Sequence, residues 1–204
     1  MKLNPLLTIW TQPKETVRQL IEENKIGLSV LLVMIAGIGG VITALQDSGW
    51  FLDLSPILLI IGILITGLLS GLLNLGISTL LYTGIGKLYG GHGKLRDMAI
   101  AIGPMMIPQV FVVPVLVIFA LYYGERFFMV PEAFGITSIS LGAYLFLTLL
   151  TATASIWSIV ISSKAIGVVH GFSSWRGFGV LMTLLGIVIL VTLIIVVTVI
   201  MFMF

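Results

Sequence analysis

The chain has 204 residues, of which 59% are hydrophobic and only 9% are charged. A soluble domain carries about 25% charged residues, so this composition excludes a water-soluble globule and suits membrane spans joined by short loops. The net charge of +2 is too small to argue for nucleic acid, and the absence of cysteine excludes disulfides, thiolate metal sites and thiol catalysis.

Met1 to Asn24 is polar and mixed in charge. In PKETVRQLIEEN the apolar residues Val17, Leu20 and Ile21 fall at i, i+3, i+4, with Lys14, Glu15, Arg18 and Glu22 opposite. That spacing predicts a short amphipathic helix with Pro13 in its first turn, lying at the membrane surface beside an interfacial Trp10. The charge pattern and the lack of a small-residue cleavage site exclude a secretory signal. Residues 1–25 are thus an interfacial segment, and 26–204 a single transmembrane domain.

The first span is expected at 26–45, where Ala36 and Gly40 form a small-xxx-small pair for close helix contact. Ser55-Pro56 has the form of an N-cap followed by proline at the first helical position. The second span is expected at 57–82. Gly67, Gly71, Asn74 and Ser78 recur along one face of it, which predicts a packing seam with Asn74 as its hydrogen-bonding member. The competing reading puts Asn74 in a polar cavity.

The third span is expected at 98–123 and contains Pro104, Pro108 and Pro114. Each proline removes a backbone donor and frees the carbonyl four residues earlier, which lipid cannot satisfy. This helix should be kinked near the bilayer midplane and packed inside the bundle, with Gln109 beside the freed groups. In the loop that follows, Tyr122, Tyr123, Phe127 and Phe128 are expected to form an interfacial belt. The fourth span is expected at 139–161 and the fifth, rich in Val, Ile and Leu and facing lipid along much of its surface, at 178–204. The fold class is therefore all-α: a polytopic bundle of five transmembrane helices with a short amphipathic helix before it.

With five spans, nine basic residues (Lys2, Lys14, Arg18, Lys25, Lys87, Lys94, Arg96, Lys164 and Arg176) fall on one side and Arg126 alone on the other. The positive-inside rule then places the N-terminus in the cytoplasm and the C-terminus outside.

Little of this sequence suggests catalysis. No Asp, Glu, Lys, Arg or His falls within an expected span, which argues against proton-coupled transport. His92 and His170 lie in the two loops expected on the cytoplasmic side, where Asp97 is the only carboxylate, so no metal site is expected. No serine has the His and Asp of a nucleophilic triad, and GGHG lacks the spacing of a phosphate loop. No cofactor is expected and the chain is not expected to be an enzyme. Asp97 precedes the third span, where it suits the helix dipole, and Trp175-Arg176 suits the interface. The same two loops are also a candidate docking surface, built from Lys94, Asp97, His170, Trp175 and Arg176, with Asp97 within reach of Arg176.

Three segments resemble the Yip family of polytopic membrane proteins, whose eukaryotic members interact with Rab-type GTPases. NPLLTIWTQPKETVRQLIEE is similar to the W-x-x-P-x-x-T/A entry helix of the bacterial branch. YGGHGKLRDMAIAIGPMMIP is similar to the family's Gly-rich loop leading into a proline-interrupted span. IWSIVISSKAIGVVHGFSSWRGFGVLM is similar to its W…HG-S…R-A pattern, with Gly177 where Ala is usual. The resemblance covers nearly the whole chain. It implies a five-helix, non-enzymatic protein of the bacterial plasma membrane, and some bacterial members are linked to export machinery. Only Met1 to Lys25 precede the first span, so Rab binding is not implied. Two functions are then expected in competition. One is an interaction or scaffold protein serving a membrane-protein partner such as a transport complex; the other is a small transporter or channel built on the proline-kinked third helix.

Overall fold

The computed structural model describes residues 4–132 and 135–203. Lys2, counted in the charge asymmetry, and Phe204, the expected end of the fifth span, lie outside the described residues. The helices in chain order are α1 (Pro5–Thr8), α2 (Pro13–Glu22), α3 (Ile26–Leu45), α4 (Pro56–Leu88), α5 (Leu95–Met105), α6 (Ile107–Tyr123), α7 (Leu141–His170) and α8 (Ser174–Met203). The fold is all-α and polytopic: α3, α4, α6 with the short turn after it, α7 and α8 are the five helices long and apolar enough to cross a bilayer.

Several helices outrun the expected spans. α4 has 33 residues, about 50 Å at 1.5 Å per residue, and continues to Leu88 rather than ending near Tyr82. α7 continues to His170 rather than ending at Ile161, and α8 starts at Ser174. A fall in hydropathy marks where a helix leaves lipid, not where it ends. Ending it takes a residue that changes the backbone, and here Gly90 and Gly171 do so, at φ 79° and 73°. At its other end α4 starts as Ser55-Pro56 predicts, the Ser55 Oγ accepting the Leu58 N–H at 3.4 Å.

The expected third span is two helices rather than one kinked helix. Pro104 lies inside α5, the chain breaks at Met106, and Pro108 is in the first turn of α6. The carbonyl that Pro104 frees, that of Ile100, accepts a hydrogen bond from Ser29 Oγ on α3. Gly103 makes that approach possible, since a Cβ there would strike Ser29. Residues 100–105 of α5 are all buried.

α3 runs through the middle of the bundle, against α4, α5 and α6. Its contact with α4 uses Gly37 rather than the expected Ala36 and Gly40. A Cβ on Gly37 would collide with the backbone of Gly67 and Gly71, one on Gly67 with Ile38, and one on Gly71 with the Val33 carbonyl. A Cβ on Gly40 would meet nothing within 4 Å. Phase explains the difference: one residue turns a helix by about 100°, so neighbouring glycines point to different partners.

Two apolar clusters hold the bundle. One gathers Ile9, Val17, Leu32, Met98, Ile102 and Ile166; the other gathers Ile42, Leu45, Leu116, Phe127, Phe128 and Leu147. The first accounts for the amphipathic helix. Val17 and Leu20 of α2 are buried against α5 and α7, so its apolar face meets protein and not the membrane surface. Trp10 likewise packs edge-on against Phe111 of α6, ring centroids 5.6 Å apart. The second cluster takes Phe127 and Phe128 out of the expected aromatic belt, leaving Tyr122 exposed.

The helix contact yields a prediction. Gly71→Ala places a methyl against backbone that cannot rotate away, and should cost about 1–3 kcal/mol. Gly62→Ala, at a position with nothing within 4 Å, should be neutral or stabilising by up to about 1 kcal/mol. Thermal unfolding in detergent measures both; equal melting temperatures for the two variants would refute this packing.

Candidate functional site

The basic residues collect where α3 starts, α4 ends, α5 starts, α7 ends and α8 starts. Two glycine-terminated helices bring these ends together. At the end of α4, Gly91 N–H reaches back to the Gly86 carbonyl at 3.0 Å across the left-handed Gly90. At the end of α7, Phe172 N–H reaches the Gly167 carbonyl at 3.0 Å across the left-handed Gly171. Both are the hydrogen-bonded helix stop that a glycine permits.

His170, the last residue of α7, joins the two stops. It is 2% exposed, not a loop residue at a surface. Its Nδ1 accepts the Gly93 N–H at 3.1 Å, and its Nε2 lies 3.2 Å from the Tyr82 carbonyl. A carbonyl can only accept, so this pattern assigns the proton to Nε2 and leaves Nδ1 bare. His92 N–H also donates to the His170 carbonyl at 3.3 Å. The imidazole stacks on Phe172, centroids 5.3 Å apart, and Gly86, Gly91 and Gly93 face it so closely that a Cβ on any of them would come within 3 Å of the ring. Gly91 and Gly93 of YGGHG therefore serve as walls around a side chain 77 to 79 residues away.

This burial corrects the expected docking set: His170 is a fastening inside the structure and offers nothing to a partner. The remaining four residues are displayed around it. Trp175 is 82% exposed, and Lys94 and Arg176 are exposed as well. Asp97 is half-buried in the first turn of α5, where its charge suits the helix dipole. The expected reach from Asp97 to Arg176 is not made. Among the described residues the one ion pair is Lys25–Glu23 at 3.8 Å, so Lys94, Asp97 and Arg176 all carry unpaired charge. Ser173 starts α8, its Oγ accepting the Arg176 N–H at 3.4 Å. Gly177 crosses α7 so tightly that a Cβ would strike the Ser163 carbonyl, which gives its departure from the usual Ala a steric reason.

Of the expected packing residues, Gly67 and Gly71 are buried against α3, but Asn74 is exposed and its Oδ1 accepts from Ser78 Oγ at 2.8 Å. The seam ends at Gly71. Asn74 instead lines an open cleft with Ser70, Gln109 and Ser155, as the competing reading has it. Gln109 Nε2 donates to Ser155 Oγ at 3.0 Å, tying the start of α6 to the middle of α7. Pro114 lies within α6, exposed. Sequence reasoning missed Ser29 as the partner of the freed carbonyl. The available signal was a hydroxyl in the first turn of a span whose one other hydroxyl, Thr43, lies near its far end. Among the described residues no three His, Asp or Glu side chains gather as metal ligands would.

Removing the imidazole should expose how much it holds. His170→Ala leaves the Gly93 N–H buried without an acceptor beside a cavity, at a cost of about 2–4 kcal/mol. Gly86→Ala should also destabilise, because its methyl would overlap the ring, while Gly84→Ala, with open space, should not. Hydrogen exchange at the 90–93 amides reports the loosening directly; unchanged protection in His170→Ala would show that the loop is held by something else.

The geometry agrees with what comparison gives. No curated protein and no solved structure matches the chain. The family model of the Yip1 domain matches residues 7–196, which takes in the second and third segments of resemblance, all but the first three residues of the first, and every residue of the fastening around His170. The chain belongs to the Yip1 domain family, as a multi-pass membrane protein.

Proposed function

We propose that the protein is a non-enzymatic interaction component of the bacterial plasma membrane that docks a membrane-protein partner, such as part of an export complex, on the basic end of its bundle. The observation that carries this reading is an indole 82% exposed next to unpaired Arg176 in the first turn of α8, with unpaired Lys94 at the start of α5, on a bundle end fastened from within by His170. Trp and Arg dominate binding hot spots, and a surface already rigid loses less entropy on binding. Lys87, Lys94, Arg96 and Arg176 outnumber Asp97 on this face, so the complementary partner surface is acidic, with an apolar slot for the indole. Rab binding and nucleic-acid binding have no support.

The positive-inside bias puts this face in the cytoplasm with the N-terminus, and the C-terminus outside. The transporter reading draws support from the helix break at Met106, a feature of transporter midplanes. Ile100, Ile102, Met105 and Ile107 are fully buried apolar side chains behind that break, which favours docking.

Trp175→Ala combined with Arg176→Ala should remove the principal partner from a crosslinking and mass-spectrometry profile of whole membranes while leaving the melting temperature unchanged. A folded double variant that retains every crosslinked partner would sink the docking reading. The orientation has its own test, made clean by the absence of native cysteine. His92→Cys and Ser173→Cys should react with an impermeant thiol reagent only from the cytoplasmic side, and Trp50→Cys only from outside.

A further inference from the structure

The bundle contains one feature that docking does not use. Between α3, α4, α6 and α7 lies a cleft of about 370 Å³ walled by Ser70, Asn74, Gln109, Thr151 and Ser155. Its floor is the small-residue face of α3, with open space over Gly40. A second cavity of about 320 Å³ shares Thr43, Leu116 and Thr151 with it and carries it on to Gln46, Asp47 and Tyr144 at the end of the bundle away from the basic face. Ser155 is the fifteenth of the 30 residues of α7, so the cleft reaches about halfway through the bundle. α8 does not seal it: its buried residues stop before Leu185, and Leu185 to Phe202 are exposed throughout.

The hydrogen-bonding state of the walls defines what would fit. Each hydroxyl donates its one hydrogen to its own helix: Thr43 to Gly39, Ser70 to Gly67, Thr151 to Leu147 and Ser155 to Thr151. What they turn to the cleft is acceptor oxygen. Gln109 uses its Nε2 on Ser155 and keeps Oε1 free. Asn74 accepts from Ser78 and keeps its two N–H donors free. The walls thus need a guest with several donors and a few acceptors. Neither sign of charge is served. The deep cleft has no Lys, Arg, Asp or Glu, and the Asp47 carboxylate at the far end is already engaged by Ser138 N–H at 2.8 Å and by the Thr137 and Ser138 hydroxyls. A phosphate would bring only acceptors to walls that offer mostly acceptors, with the Asn74 amide as the donor.

We propose that this cleft is a binding site for an uncharged polyol, one that reaches it either as a lipid headgroup from the bilayer or as a free solute from the Asp47 side. The ligand hydroxyls donate to Gln109 Oε1 and the Ser and Thr oxygens and accept from the Asn74 amide.

The test uses the full chain in nanodiscs, with Gly40→Cys as reporter because that position has room for a side chain. A neutral water-soluble thiol reagent should modify it. Glucosyl diacylglycerol or free glucose should slow that reaction by at least roughly fivefold, whereas phosphatidylethanolamine should not. Protection by the lipid alone identifies a headgroup site; protection by glucose alone identifies a solute site. Asn74→Leu, made in the reporter background, should abolish protection while keeping the parent melting temperature; Gln109→Leu, which also removes the tie to Ser155, should abolish protection in a chain that still folds. If one fails to fold, the other carries the result. The proposal is overturned if Gly40→Cys does not react, if neither polyol protects, or if phosphatidylethanolamine protects equally. None of these residues belongs to the basic end, so the outcome is independent of partner docking.

Discussion

The bundle depends on a neutral imidazole held between two helix ends. A buried backbone group must find a partner, and the ends of α4 and α7 are where the regular ladder runs out. The bonds from His170 to Gly93 and Tyr82 join those ends to each other, and the start of α5 follows immediately. The start of α5 is positioned by this fastening, α5 fills the basic half of the core, and α2 packs onto α5 and α7. A cluster of glycines around one ring is what the arrangement requires, because any larger side chain at three separate positions would displace it.

The proline-broken span follows the same constraint. Splitting α5 from α6 frees carbonyls at a depth where water is absent. The structure answers one with Ser29 and anchors the start of α6 through Gln109 and Ser155. The break costs continuity and creates shape. Because α5 stays buried while α6 packs onto α3 and α7, the middle of the bundle is left with a polar recess instead of a second apolar core.

Much of the architecture was legible because hydropathy over about 20 residues is an unambiguous signal. Gly67 and Gly71 were legible for a related reason, since only packing explains two glycines one turn apart. Asn74, on the same stripe, was not: a stripe gives direction but not how far the neighbouring helix follows it. Helix ends were hidden because polarity and helicity are separate properties, as Lys164 within α7 illustrates. His170 was misplaced for that reason too. A histidine followed by a glycine and two nearby serines has the profile of a loop, and its burial depends on glycines 77 to 84 residues away in sequence. Such pairings arise from topology and leave no local pattern.

The last helix has a different standing from the other four. α8 is held only over its first turns, by the Gly177 crossing, by Val180 in the core and by the Tyr89 hydroxyl against Thr183 at 2.7 Å. From Leu185 to Phe202 every residue of it is exposed. A rod clamped at one end takes its inclination from the medium around the free end, and a helix of this length answers a thinner bilayer by leaning. Its clamp lies directly beside the histidine fastening. α8 is therefore a lever whose fulcrum is the basic end, and membrane thickness is a mechanical load on the same residues that hold the two helix stops together.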